Sequence, residues 1–271
     1  MWYVLSFYEY FNLSMAECPF HIKPPSDTME GIRAPADPAY YGCITRYRRY
    51  CSMKFNGVVF DFNGTLLFDD AFHVEAWDKI AMEVCGEHLT AEIIDTKYAG
   101  FPNKEILRRL SDDTLTEEQL LSLSLRKEEL YREIVRNVPG GPKLVPGAEE
   151  LFDFLKTNGI PCTIASASII QNIEFFVAIF HLDRWFDMDH IIYDDGSYEN
   201  KIMMFRDAID RMQVKENVLI FEDSLSGITC AANVGASVVA IRKETMEPYY
   251  PNFPEIIGIV PDLLGAERYL K

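Results

Sequence analysis

A chain of 271 residues, 48% of them apolar, has material for one large domain or two smaller ones and is too apolar to stay disordered. Its net charge of −16 argues against a nucleic-acid partner, though not against a small anion met by a local cation. No run of about eighteen apolar residues occurs, so no membrane span is expected.

The six cysteines include no C-x-x-C pair, which disfavours a zinc site or a disulfide framework and suits a reducing, cytoplasmic setting.

Residues 1–52 differ in composition from the rest of the chain. They are rich in aromatics such as Trp2, Tyr3 and Phe7, and Pro24-Pro25 and the A-P-A-D-P run at 34–38 break any periodicity. Their acidic and basic residues cancel, so the negative charge lies in 53–271. The opening MWYVLSFYEYF carries Glu9 and lacks a basic leader, which makes a poor signal peptide. This segment reads as a disordered leader or an over-extended translation start, with Met53 the true first residue.

Strands and helices alternate from Met53 onward. VVFDF (58–62) reads as a buried strand. A helical block occupies 69–137, with AFHVEAWDKIAMEV, PNKEILRRL and TEEQLLSLSLRKEELYREIV each apolar at three- and four-residue spacing. Residues 137–142 form a Pro/Gly break, and PGAEELFDFLKTNG (146–159) is a helix with Pro at its start and Gly at its end. Then come a strand (CTIA), a helix (IIQNIEFFVAI), a strand (HIIY), a helix (KIMMFRDAIDRM), a strand (VLIF), a helix (LSGITCAANV) and a strand (SVVAI). The pattern predicts a doubly wound, Rossmann-like α/β parallel sheet built from 53–68 and 138–271, with 69–137 inserted as a helical cap.

Ligands of such sheets bind beyond the carboxyl ends of the strands. The first strand delivers Asp61 and then Asn63; the second delivers Ser166; the fourth delivers Glu222 and Asp223; Lys201 opens the helix after the third. Acids that can hold a hard cation thus meet a hydroxyl and a lysine that can hold phosphate oxygens. Each residue has a plainer reading by itself. Asn63-Gly64 is a common turn pair, Ser166 or Glu222-Asp223 can cap a helix, and a lone lysine is usually solvated.

Taken together, D-F-N-G-T-L, I-A-S-A-S, Lys201 and F-E-D-S-x-x-G-I-x-x-A-A resemble the four motifs of the haloacid dehalogenase superfamily. H-V-E-A-W (73–77) and P-G-A-E-E-L (146–151) are similar to its β-phosphoglucomutase-like phosphatase branch. The likeness covers about residues 54–243, in order. It implies a phosphatase of small phosphorylated metabolites, sugar phosphates first. Asp61 would be the nucleophile, forming an aspartyl-phosphate. Mg²⁺ would be held by Asp61, Glu222, Asp223 and the backbone carbonyl of Asn63. Thr65, Ser166, Ala167 and Lys201 would grip the phosphoryl group. His73, Trp77, Asn103 and Lys104 become candidate cap-side substrate contacts, although the four-residue spacing of His73 and Trp77 also suits packing.

Where the family carries a second aspartate, this chain has Asn63. An amide cannot exchange the proton that the leaving oxygen needs, and such help is worth about 10²–10⁴ in rate. The substrate then has a good leaving group, or His73 or a cap carboxylate supplies the proton, or the protein binds phosphometabolites without turning them over. Deamidation of Asn63 is a further route, disfavoured in a tight turn. A phosphosugar mutase is a weaker alternative. The branch's cap arginine is matched by Asn103, and Lys201 lacks its usual following proline. A phosphonate hydrolase would need a Schiff-base lysine, for which Lys97 and Lys104 are candidates.

Overall fold

The computed structural model describes residues 53–271 apart from Ala99, so the expected leader at 1–52 lies outside the described residues. Six parallel strands form one sheet in the order β3-β2-β1-β4-β5-β6. They are β1 (Gly57–Phe60), β2 (Cys162–Ile169), β3 (Ile192–Asp194), β4 (Val218–Glu222), β5 (Ser237–Ile241) and β6 (Ile256–Val260). Val59 on β1 pairs with Thr163 on one side and Ile220 on the other. The strand order reverses between β1 and β4, which opens a crevice above their carboxyl ends.

Both faces of the sheet are buried, which is why its central strands read as unbroken apolar runs. Val58, Phe60, Leu219, Phe221 and Val239 join one cluster, with Phe152 and Phe176. Val59, Ile220, Val238 and Ala240 join the other, with Met204, Phe205 and Ala231. Phe60 stacks on Phe221 at 5.1 Å and meets Phe152 edge-on at 5.3 Å. Each such fully buried ring contributes about 1.5–3 kcal/mol.

Between β1 and β2 the chain runs through α1 (Asp70–Val84), α2 (Asn103–Leu110), α3 (Glu117–Arg136) and α4 (Ala148–Asn158). A short helical turn (Ala91–Ile93), capped by Thr90 accepting from the Ile93 N–H at 3.3 Å, continues as a π-helix (Ile94–Tyr98) between α1 and α2. Trp77, Ile80, Leu107 and Leu120 form a separate apolar cluster within this insertion. A Thr116–Gln119 capping box starts α3. The lower half of that helix leaves the insertion's cluster, and Tyr131 and Val135 pack into the core under the sheet. The remaining helices are α5 (Ile170–Phe180), α6 (Lys201–Arg211) and α7 (Leu225–Asn233).

Two differences from expectation bear on strands. β6 went unread because its IIGIV sequence is interrupted by Gly258 and sits half-exposed at the sheet edge. β2 runs past CTIA through the polar Ser166-Ala167-Ser168. Ala165 pairs with Ile192 and Ile169 with Asp194, with a register shift between them. Such an irregularity re-aims side chains, and here it lies beside the site.

Candidate active site

Asp61 sits one residue past β1, and its N–H continues the ladder to the Phe221 carbonyl at 3.0 Å. The chain then turns sharply. Gly64 donates to the Leu67 carbonyl at 2.7 Å and adopts φ +76°. A side chain there is excluded twice over, because a Cβ would also lie 2.1 Å from Asp223 Oδ2. Close approach of this turn to β4 brings the first and fourth strand ends together.

Asp61, Glu222 and Asp223 are all buried, and one ligand oxygen from each lies within 4.8 Å of the others. Lys201, at the first position of α6, reaches Asp61 Oδ1 and Glu222 Oε1 at 2.7 Å each. Asn200 caps that helix by accepting from the Met203 N–H at 3.3 Å, which fixes where the lysine starts. Glu222 has no free oxygen. Oε1 also accepts from Ser224 Oγ at 3.1 Å, and Oε2 accepts from the N–H groups of Ser224 (2.9 Å) and Asp223. The cap of α7 is Ser224, which accepts from the Gly227 N–H at 3.0 Å.

One lysine serves two carboxylates, and the two respond differently. Burial opposes ionisation of Glu222, but Lys201 and the N–H donors hold its pKa below the usual range. Burial pushes Asp61 up to about 6, against the pull of Lys201 and with the charge of Glu222 adding to the rise. Asp223 is raised well above an ordinary carboxylate by burial, Glu222 and Asp61, although Lys243 draws it back.

Gly227 is a second position where packing admits no side chain. A Cβ there would stand 1.4 Å from Glu222 Oε1. Gly227→Ala should therefore dislodge Glu222 from Lys201 and lower unfolding free energy by about 2–4 kcal/mol. A denaturant midpoint close to wild type would contradict this packing.

Asn63 is embedded in a polar cluster. Its Nδ2 donates to Asp69 Oδ2 at 2.5 Å and Tyr131 OH at 3.2 Å and lies 3.5 Å from His73 Nε2. Its Oδ1 accepts from Ser168 Oγ at 2.8 Å and from Ser166 Oγ at 3.4 Å. Asp69 is wholly buried and also accepts from Tyr131 OH at 2.5 Å and the Gly64 N–H at 3.0 Å. Burial disfavours its charge, but His73, Tyr131 and Asn63 together hold its pKa below the usual range. His73 stacks on Tyr131 with ring centroids 4.1 Å apart, and its Nδ1 lies 2.8 Å from Lys127 Nζ.

The model of the haloacid dehalogenase-like hydrolases matches residues 55–235. The chain belongs to that family. A phosphorylated carbohydrates phosphatase of Thermotoga maritima is 25% identical over 183 residues, which cover 66% of this chain and 81% of that one. The mitochondrial (DL)-glycerol-3-phosphatase 1 of Arabidopsis thaliana is 23% identical over 206 residues, covering 72% and 66%. Among solved structures, a family IA, variant 3 HAD hydrolase from Entamoeba histolytica superposes with TM-score 0.72 and 30% identity, covering 78% of this chain and 94% of that one. This chain is a HAD-family phosphatase.

Within this HAD hydrolase, Asp61, Asn63, Thr65, Ser166, Lys201, Glu222 and Asp223 converge on one rim. Thr65 Oγ1 is buried and, among the described residues, has no hydrogen-bond partner. Ala167 is exposed beside them. The cap candidates separate. His73 reaches the cluster around Asn63, whereas Trp77 is 4% exposed and packs in the insertion's own apolar cluster. Asn103 donates to Glu128 Oε1 at 2.7 Å, and Lys104 pairs with Glu117 at 3.7 Å on the surface.

Sequence reasoning missed four groups. Asp69 lies after the first motif in a Phe-Asp-Asp triplet that reads as a helix start. Tyr131 and Lys127 sit on α3 among many polar residues, and only its four-residue spacing hinted that both face inward. Lys243 lies just past β5 and binds Asp223 Oδ2 at 2.6 Å. A lysine at a strand's carboxyl end was the available signal.

Proposed function

We propose that this protein is a Mg²⁺-dependent phosphomonoester hydrolase of small phosphorylated metabolites, with Asp61 as its nucleophile. The observation that carries the reading is the buried Asp61 carboxylate, ion-paired to Lys201 and within 4.8 Å of Asp223 and Glu222 oxygens. The named activities of the relatives, on phosphorylated carbohydrates and glycerol-3-phosphate, support sugar and polyol phosphates as the substrate class.

The donor set suits a hard divalent ion: only oxygens, closely grouped and buried. Because Glu222 is saturated by Lys201 and N–H donors, we assign direct ligation to Asp61, Asp223 and the carbonyl of Asn63, with Glu222 fixing Lys201. A bound Mg²⁺ would supply positive charge to offset that of the phosphoryl oxygens. Lys201, Ser166, the unpartnered Thr65 hydroxyl and the backbone at Ala167 would bind and orient the phosphoryl group. An Asp61 oxygen attacks phosphorus, the P–O ester bond breaks, and the leaving oxygen departs with the bonding pair and takes its proton from solvent water. Water then hydrolyses the aspartyl-phosphate, releasing phosphate and restoring Asp61. Asn63 supplies no proton for the first step and no base for the second, so substrates with good leaving groups should be favoured.

The mutase reading loses support, since the Asn103 amide is committed to Glu128 rather than offered to a second phosphate. The direct test is a panel of sugar, polyol, aryl and acyl phosphates with Mg²⁺. Metal-dependent hydrolysis of at least one class is expected. Inactivity on all four would overturn the reading.

Metal removal gives a second expectation. Folding raises the Asp61 pKa from 3.8 to about 6, so the folded state takes up a proton there. The stability this confers on the metal-free protein is complete below pH 4 and is lost as pH rises through about 6. Asp223 acts in the same direction. A cation bound by both carboxylates relieves their ionisation penalty. The Tm difference between Mg²⁺ and EDTA samples should therefore be small near pH 5 and open out by about pH 7.5. A difference independent of pH would count against ligation by these acids.

A further inference from the structure

Lys243 takes no part in the proposed hydrolysis, yet its ammonium lies among the groups that would hold the cation. It sits just past β5, close to the carboxyl end of that strand, and its side chain is 31% exposed. Nζ lies 2.6 Å from Asp223 Oδ2 and 3.1 Å from Asp70 Oδ2. Asp70 is the first residue of α1, where the helical insertion begins, and its side chain is 73% exposed. One ammonium thus joins an oxygen of the acidic cluster to the base of the insertion.

We propose that Lys243 is a built-in competitor for the divalent ion at Asp223, with Asp70 as the alternative partner that receives the ammonium when the ion binds. The inference rests on the assignment of Asp223 as a metal ligand. Two positive charges cannot share one carboxylate oxygen at contact distance without strong repulsion. Lys201 does not stand in the same position, because Glu222 retains it whichever cation Asp61 meets. Lys243 has no second carboxylate in the cluster. Its second partner lies outside, on α1, so the hand-over is from Asp223 to Asp70. Metal affinity is then set by a contest between a tethered ammonium and a free ion. The contest is biased by a residue that need not touch the metal. It also means that ion uptake draws the start of α1 and the loop after β5 more tightly together.

The proposal makes two predictions of opposite sign. Lys243→Met removes the competitor and should tighten Mg²⁺ binding by about tenfold or more. Asp70→Asn removes the alternative partner, leaves Lys243 on Asp223, and should weaken Mg²⁺ binding several-fold. Lys243→Arg keeps the charge and should stay within a few-fold of wild type. The readout is calorimetric titration of MgCl₂ into EDTA-stripped, full-length protein near pH 7.5, with Mn²⁺ binding by electron paramagnetic resonance as a second measure. Asp70→Asn alters a solvent-facing side chain, so its result stands even if Lys243→Met folds poorly. If Lys243→Met binds no more tightly and Asp70→Asn no more weakly, while Asp223→Asn abolishes binding, the competitor role is wrong and the metal site stands. If wild type and Asp223→Asn bind Mg²⁺ equally, or neither binds it, the metal assignment itself has failed and the proposal goes with it.

Discussion

The paired exchange Asn63→Asp with Asp69→Asn should raise hydrolysis of alkyl phosphates by about 10²-fold or more, the lower end of what a positioned acid–base group supplies. Asn63→Asp alone should do less and should cost stability. The reason is the 2.5 Å contact between Asn63 Nδ2 and Asp69 Oδ2. An amide next to that carboxylate donates a hydrogen bond and leaves Asp69 ionised. A carboxyl at position 63 would face a second carboxyl at contact distance, and the two must share a proton. That raises one pKa strongly. It produces a group able to give a proton but reluctant to take one back from water in the second half of the reaction. Moving the amide to position 69 restores a donor–acceptor pair and frees the new carboxyl to ionise. Thermal denaturation should track the same cycle, with a lower Tm for Asn63→Asp and recovery in the double variant. Equal rates for both variants and wild type on alkyl phosphates would show that the amide is not what limits turnover.

Asp61→Asn should remove turnover, by about 10⁴-fold or more, as expected when a nucleophile is lost and only binding and charge stabilisation remain. The substitution preserves side-chain shape, and Lys201 keeps Glu222 as a partner, so the fold should survive. The decisive measurement is acid-quenched labelling with a ³²P-substrate. Wild type should retain label on the peptide containing Asp61, and Asp61→Asn should retain none. Label retained by the variant would move the nucleophile elsewhere.

Much of this arrangement could be read from the chain alone, and the reason is topological. In a parallel sheet every strand ends on the same rim, so Asp61, Ser166 and Glu222-Asp223 had to meet once their strands were recognised. The buried runs VVF and VLIF made recognition easy. What could not be read were partners brought in by helix faces and by the last strands. Asp69 and Tyr131 are 62 positions apart and meet only because α3 folds back under the turn after β1. Lys243 sits in a charged stretch, Arg242-Lys243-Glu244, that looks like ordinary solvated loop. Trp77 illustrates the opposite difficulty. The H-V-E-A-W motif suggested a substrate contact, whereas its four-residue spacing from His73 also suited packing. Both residues meet Lys127, but only His73 reaches the cluster around Asn63, and Trp77 packs in the insertion's core.

The double allegiance of α3 limits how this protein can be re-engineered. Leu120 belongs to the insertion's cluster, and Tyr131 and Val135 belong to the cluster under the sheet. A chimera that exchanges the whole insertion by splicing at the visible Pro/Gly break after Asn137 would carry off two core residues, one of them the tyrosine that holds Asp69. The seam belongs inside the helix, between Lys127 and Tyr131, so that the graft takes the upper turns and leaves the lower ones in place.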